Sequence, residues 1–248
     1  MSLPVVAVVS GTETPIGEGK TKPIRCLVRF EDKSIKAAVV KHLSPQGVAA
    51  EAFAALLLRG WGLNVPEPAI VTQPVLAFAS LDTGYPNLKQ RLGWSESFPP
   101  QVKAVLETSG VRLVARFLDT PRALAADEAI DNRDRNLGNI LWDGSNAAWI
   151  DHERALGVVA DADVNKLVLM VLAAGDHKGV EAAAVAIALS LGPQVVADAD
   201  ADCALLDVSG FAQKVTSRLG PLATKVLQRF PQPNDLFAPL ADAPGETK

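Results

Sequence analysis

The chain has 248 residues, 48% apolar and 21% charged, enough for one large domain or two closely packed lobes around a substantial core. Its formal net charge of -4 speaks against broad nucleic-acid binding, which needs a basic face. The start, Met1 to Pro4, lacks a basic n-region and a long apolar run, the apolar stretches near 164–174 and 182–191 are too short for a bilayer, and Cys26 and Cys203 match no metal or redox spacing; a cytoplasmic protein with no membrane partner is expected.

In chain order, β-branched content predicts strands over Val5–Val9, Ile24–Phe30 and Ile35–Lys41, with Glu31–Ser34 as a hairpin turn. Ser44 as N-cap, Pro45 in the first helical position and Gly60 as terminator predict a helix between them. Asn64–Pro68 reads as an extended exit, and Ala69–Phe78 as two short strands broken by Pro74. From Pro99 the pattern turns helical, over Gln101–Gly110, Val111–Thr120 and Ala123–Ile130. Ala147–Ile150 reads as a strand, and the chain after Asp151 as helical almost throughout, with breaks near Gly175, Gly192 and Gly210. The expected fold is α+β and two-lobed in the manner of protein kinases: a small β-rich N-lobe over about 1–80, a connector over 81–98 and a larger helical C-lobe over 99–230. The tail 231–248, rich in Pro, Asp and Ala, is expected to fray.

The chemistry concentrates in Asp131–Trp142 and Ile150–Arg154. Asp134 and Asn139 share one tight loop, so that an acid can meet an acceptor hydroxyl while an amide meets a metal. Asp151 returns after a short apolar strand as a second oxygen ligand. That order and spacing suit a kinase-type site holding ATP, magnesium and a hydroxyl. Arg135, beside the acid, can contact phosphate or fix the loop. Asp131 and Asn136 read as turn residues.

A second half-site is legible upstream. Glu51 is the lone charge from Val48 to Leu58, in a helix apolar on every side, so its carboxylate needs a partner. Lys41, ending the preceding strand, is the candidate; a strand lysine held by a helix glutamate reaches phosphates in kinases. Gly17-Glu-Gly19, between two strands, suits a flexible turn over the nucleotide. Other patterns fail. Gly19-Lys-Thr21 has Thr14 where a phosphate loop needs glycine, His152-Glu153 has Leu156 where a zinc motif needs histidine, and Asp198–Asp202 lacks the glycine and glutamate of a calcium loop and reads as a solvated helix start.

Taken together, these blocks resemble the HipA-like kinases, a branch related to the phosphatidylinositol 3- and 4-kinase fold. Gly17–Gly19 with Lys22-Pro23 is similar to that family's early glycine turn, Val39–Lys41 to its lysine strand, and Glu51 with Gly62–Pro68 to its glutamate helix and exit. Asn132–Arg135 through Asn139–Trp142 resembles its catalytic loop, and Ile150–His152 its metal-binding turn. The resemblance implies ATP- and Mg2+-dependent transfer to a Ser or Thr hydroxyl of a protein or of the chain itself. Asp134 and Arg135 would be catalytic, Asn139 and Asp151 metal ligands, and Lys41, Glu51, Gly17 and Gly19 would bind nucleotide. Asn136 departs from the His or Thr of many relatives. Family members that act as toxins are longer at the N-terminus and pair with a DNA-binding antitoxin; this chain starts almost at the β-rich part, so the sequence supports neither toxicity nor an antitoxin-like partner, although such a partner stays open. Two alternatives stand beside this one. Small-molecule kinases of the aminoglycoside and choline type share the Asp–Asn spacing and a turn like Ile150-Asp-His-Glu-Arg154, but usually carry His-Gly where this chain has Asn132-Arg133. A catalytically inactive nucleotide-binding module would generally have lost one of these residues.

Overall fold

The computed structural model describes residues 2–17, 21–175 and 177–232. Gly19 and positions 233–248 of the expected tail lie outside them.

The strands β1 (Val5–Val8), β2 (Thr14–Pro15), β3 (Ile24–Arg29), β4 (Ile35–Lys41), β5 (Pro68–Val71) and β6 (Ala77–Leu81) form a six-stranded sheet in the order β1-β5-β6-β4-β3-β2. An added pairing of β1 with β3 closes it into a small barrel, with Val5 opposite Ile70 in parallel and Ala7 opposite Arg29 antiparallel. A narrow barrel has room for small side chains only, and every second residue supplies one: Val6, Cys26, Val28, Ala38, Val40, Ala69, Val71, Ala77 and Ala79 form its buried interior.

The opposite face of β5 and β6, through Ile70 and Phe78, packs on α1 (Pro45–Gly60) and belongs to the main core. The start of α1 is as the sequence predicts, with the Ser44 hydroxyl accepting from Gly47 N at 3.1 Å. Buried on nearly all sides, α1 also meets the helices that follow.

These are α2 (Leu88–Arg91), α3 (Pro100–Val114), α4 (Thr120–Ile130), then the hairpin β7 (Ile140–Trp142) and β8 (Ala147–Trp149), and finally α5 (Lys166–Ala174), α6 (Lys178–Ser190), α7 (Pro193–Asp202), α8 (Ser209–Leu219) and α9 (Leu222–Gln228). The main core runs without interruption from α1 and the sheet to α9. Among the described residues no single helix is long and apolar enough to cross a membrane.

Several expected boundaries moved. The break expected at Gly110 does not exist: α3 runs through it, because the glycine is there for contact, and a Cβ would meet Leu137 Cδ1 at 2.7 Å. The helix break falls at 115–119 instead. Residues 151–165 are not helical; Leu156 and Gly157 have positive φ, and Leu156 N donates to Ile130 O at 2.7 Å, so tertiary bonds hold this stretch irregular. Gly210 lies inside α8 rather than at a break, which falls at 203–208. Asp198–Asp202 closes α7 instead of opening a helix.

Candidate active site

The loop bearing Asp134 starts where α4 stops, at Asp131 in the left-handed conformation (φ 60). Asn132 then turns back onto α4, its Nδ2 donating to Asp127 Oδ1 at 2.9 Å. Arg135 goes further: Nε and Nη2 donate to the two Asp127 oxygens at 3.0 and 2.8 Å, while Nη1 donates to Ile150 O at 2.7 Å and Asn139 O at 3.2 Å. With a residue exposure of 1%, the Arg135 side chain is engaged in fixing the loop. The Asn136 carboxamide caps the turn Leu137–Asn139, accepting from Gly138 N at 2.8 Å, the turn role expected of it.

The β7–β8 hairpin brings Asp151 back to this loop, with Ile140 opposite Trp149 and Ile150 N donating to Asn139 O at 3.2 Å. The hairpin is tied to the first half of the chain, Trp149 N donating to Asn64 O at 2.9 Å and Trp142 N to Pro86 O at 3.0 Å. Asp151 has φ 69, a backbone state that costs energy outside glycine and is found where surrounding structure dictates a side chain's direction.

There the two halves meet. Lys41 Nζ lies 2.9 Å from Glu51 Oε1, 2.7 Å from Asp151 Oδ1 and 3.7 Å from Glu153 Oε2. Burial opposes its charge, yet the three carboxylates hold the ammonium above the ordinary lysine range. Burial likewise opposes the Glu51 carboxylate, but Lys41 and the His152 side chain beside it hold it well below the usual range; the His152 backbone N–H also donates to its Oε2. The lone charge between Val48 and Leu58 is thus paired, and Glu51 is buried rather than solvated. Burial pushes the Glu153 carboxyl up to about 7; Lys41 works against that rise, and Asp151 and Glu51 add to it.

Asp134 faces the other end of the site. Lys166 Nζ lies 2.6 Å from its Oδ1 and Arg154 Nε 3.6 Å from its Oδ2, with Arg154 itself held by Asp161 through bonds of 3.2 and 2.6 Å. Asn139 Nδ2 donates to Asp134 O at 3.0 Å, and among the described residues its Oδ1 accepts no hydrogen bond. Asp151 uses only Oδ1, on Lys41. One amide and one carboxylate oxygen, completed by phosphate and water, suit magnesium, which seldom takes an all-protein cage; no group of three His, Cys, Asp or Glu side chains poised for a metal occurs among the described residues.

Gly17 has φ 72 with nothing within 4 Å of a would-be Cβ, as an open turn requires, but no described contact joins it to Lys41. The sequence reading missed Glu153 and Arg154 as site residues, although both stand in the quoted Ile150–Arg154 segment. Lys166 had no local signal. A cleft of about 520 Å³ behind the loop, lined by Asp131, Arg133, Lys214, Arg218, Lys225 and Arg229 among others, shares none of these site residues. Charge convergence marks the site.

No protein-family model and no curated protein matches the sequence. Among solved structures, the chain superposes with a TM-score of 0.50 and 16% identity on HipA in the Shewanella oneidensis MR-1 HipA, HipB and operator DNA complex, covering 89% of this chain and 65% of that one. The Helicobacter pylori proinflammatory kinase CtkA matches with a TM-score of 0.48 and 15% identity, over 90% of this chain and 94% of that one. The chain shares the fold of the HipA-like kinases.

Proposed function

We propose that the protein is an ATP- and magnesium-dependent phosphotransferase acting on a Ser or Thr hydroxyl of a protein or of itself. The observation that carries this is the Lys41 ammonium held between Glu51 of α1 and Asp151 of the returning hairpin: strand, helix and loop each contribute the group that nucleotide binding needs. In this reading the barrel with α1 is an N-lobe over about 1–80, 81–98 is the connector and 99–230 the C-lobe. Lys41 reaches the nucleotide phosphates, and Glu51 keeps it aimed. Asn139 and Asp151 would hold magnesium, which would offset the charge of the phosphates. Asp134 orients the acceptor hydroxyl and takes its proton as the new oxygen–phosphorus bond forms. The bond from the γ-phosphorus to the bridging oxygen breaks, and ADP leaves with the electron pair.

A small-molecule acceptor is the second reading, favoured by Glu153 and Arg154, which both turn into the site as in the Ile-Asp-x-Glu-Arg pattern. The test is transfer of labelled γ-phosphate from Mg-ATP to the protein, to a lysate and to a panel of small hydroxyl compounds, with the label's destination choosing between the readings. Asp134→Asn and Asp151→Asn should each cost about two powers of ten or more. Near wild-type turnover in either variant would sink the assigned role, and absence of both nucleotide binding and transfer in the wild type would sink the reading itself. The HipA chain stands in a complex with HipB and operator DNA. An antitoxin-like partner here would show as co-purification of a DNA-binding protein.

A further inference from the structure

We infer that Lys166 is a catalytic residue that grips the γ-phosphoryl group as it passes to the acceptor; this rests on the phosphotransfer reading above. Lys166 is the first residue of α5, where a cation is unfavourable against the helix dipole, so helix stability does not explain it. Its backbone is firmly placed: the buried Asn165 caps the helix, accepting from Leu167 N at 3.1 Å and Val168 N at 3.3 Å, while its Nδ2 donates toward Glu128 Oε2 at 3.3 Å. From that fixed point a side chain that is 46% exposed reaches Asp134 Oδ1 at 2.6 Å, its single ion-pair partner among the described residues.

The other cations near the loop are committed. Lys41 is enclosed by three carboxylates, Arg135 is locked on Asp127, Arg133 is paired with Glu128, and Arg154 is clasped by Asp161. Arg154 also stands 3.6 Å from Asp134, but Asp161 clasps it; Lys166 is the exposed cation beside the group that meets the hydroxyl whose one carboxylate partner among the described residues is Asp134 itself. A cation within hydrogen-bond distance of Asp134 stands within a phosphoryl group's breadth of the atom being transferred, where charge spreads over the equatorial oxygens. Moving onto those oxygens also frees Asp134 Oδ1 for the acceptor. A γ-phosphate is what ATP has and ADP lacks, so the contact distinguishes the two nucleotides.

Titration calorimetry with Mg-ATP and Mg-ADP, alongside steady-state transfer, tests this on Lys166→Met, Lys166→Arg and Asp134→Asn. Lys166→Met should lose most of the wild-type preference for ATP over ADP, raise KM for ATP in step with that loss, and drop kcat by about a hundredfold or more. Lys166→Arg should recover part of both, and Asp134→Asn, which keeps the lysine, should lose transfer yet retain the ATP preference. A Lys166→Met protein that discriminates ATP from ADP as the wild type does, with kcat within about threefold, overturns the inference while leaving the phosphotransfer reading intact. A wild type that binds neither nucleotide overturns both.

Discussion

Arg135 and Asp127 form a two-bond ion pair at 3.0 and 2.8 Å, and each residue is only 1% exposed. The pair joins the last turns of α4 to the loop of Asp134, and the same guanidinium continues to the carbonyls of Asn139 and Ile150. Removing one partner strands the other's charge in the core, which typically costs about 3–5 kcal/mol. Asp127→Ala should therefore lower the urea midpoint strongly. Arg135→Lys should fare little better, because an ammonium cannot reproduce the planar fork that serves carboxylate and carbonyls together. An Arg135→Lys protein with wild-type stability would refute this account of the loop.

Lys41 and Glu51 should be coupled in both binding and stability. Lys41→Met leaves the Glu51 carboxylate buried beside Asp151 with its main cation gone. Nucleotide affinity should fall by about tenfold or more, with a stability loss of about 3 kcal/mol. Adding Glu51→Gln removes the stranded charge and should return part of the stability but none of the affinity. Equilibrium unfolding of the two single variants and the double variant measures the coupling, and simple additivity would show that the pair does not interact.

The part of this architecture legible in the sequence is the part written locally. Strands β3 and β4 show in β-branched runs, and α1 in the Ser44-Pro45 start and Gly60 stop. Asp134, Asn139 and Asp151 are readable because a loop and a short hairpin keep them close in the chain. Closure of the barrel was not, because the β1–β5 pairing joins Val5 to Ile70, and no local pattern encodes a parallel partner so far away. The segment 151–165 looked helical from composition, yet bonds from Leu156 to Ile130 and from Arg229 to Asp163 override that propensity. Lys166 stayed hidden for the same reason: its partner Asp134 lies on another element.

Acid should loosen the molecule through Glu128. Burial opposes its charge, but hydrogen bonds from Arg133 and Arg229 outweigh it and lower the carboxyl from 4.5 to about 2. Since the folded pKa lies below the unfolded one, the stabilisation is complete above about pH 4.5 and is lost as pH falls through 2. A shift of that size corresponds to about 3 kcal/mol. Urea midpoints across this range should fall steeply for the wild type and less steeply for Glu128→Gln, which starts less stable at neutral pH. Equal slopes for the two proteins would remove Glu128 from the acid response.

Gly110→Ala tests how tightly α3 supports the catalytic loop. In an open helix the change would gain about 1 kcal/mol from lost backbone freedom in the unfolded chain. Here the new Cβ would sit 2.7 Å from Leu137 Cδ1 and 3.0 Å from Leu92 Cδ1, and Leu137 is itself buried in the turn that ends at Asn139. Overpacking of this kind costs about 1–3 kcal/mol, so it should exceed the helical gain, and the displaced turn should carry Asn139 with it. The expected result is a less stable protein with weaker magnesium-dependent nucleotide binding. Leu137→Ala on the same background relieves the contact and should restore the binding more than it restores stability, because it also removes buried apolar volume. If Gly110→Ala alone raised both stability and affinity, the glycine would be serving neither the packing of α3 nor the geometry of the loop.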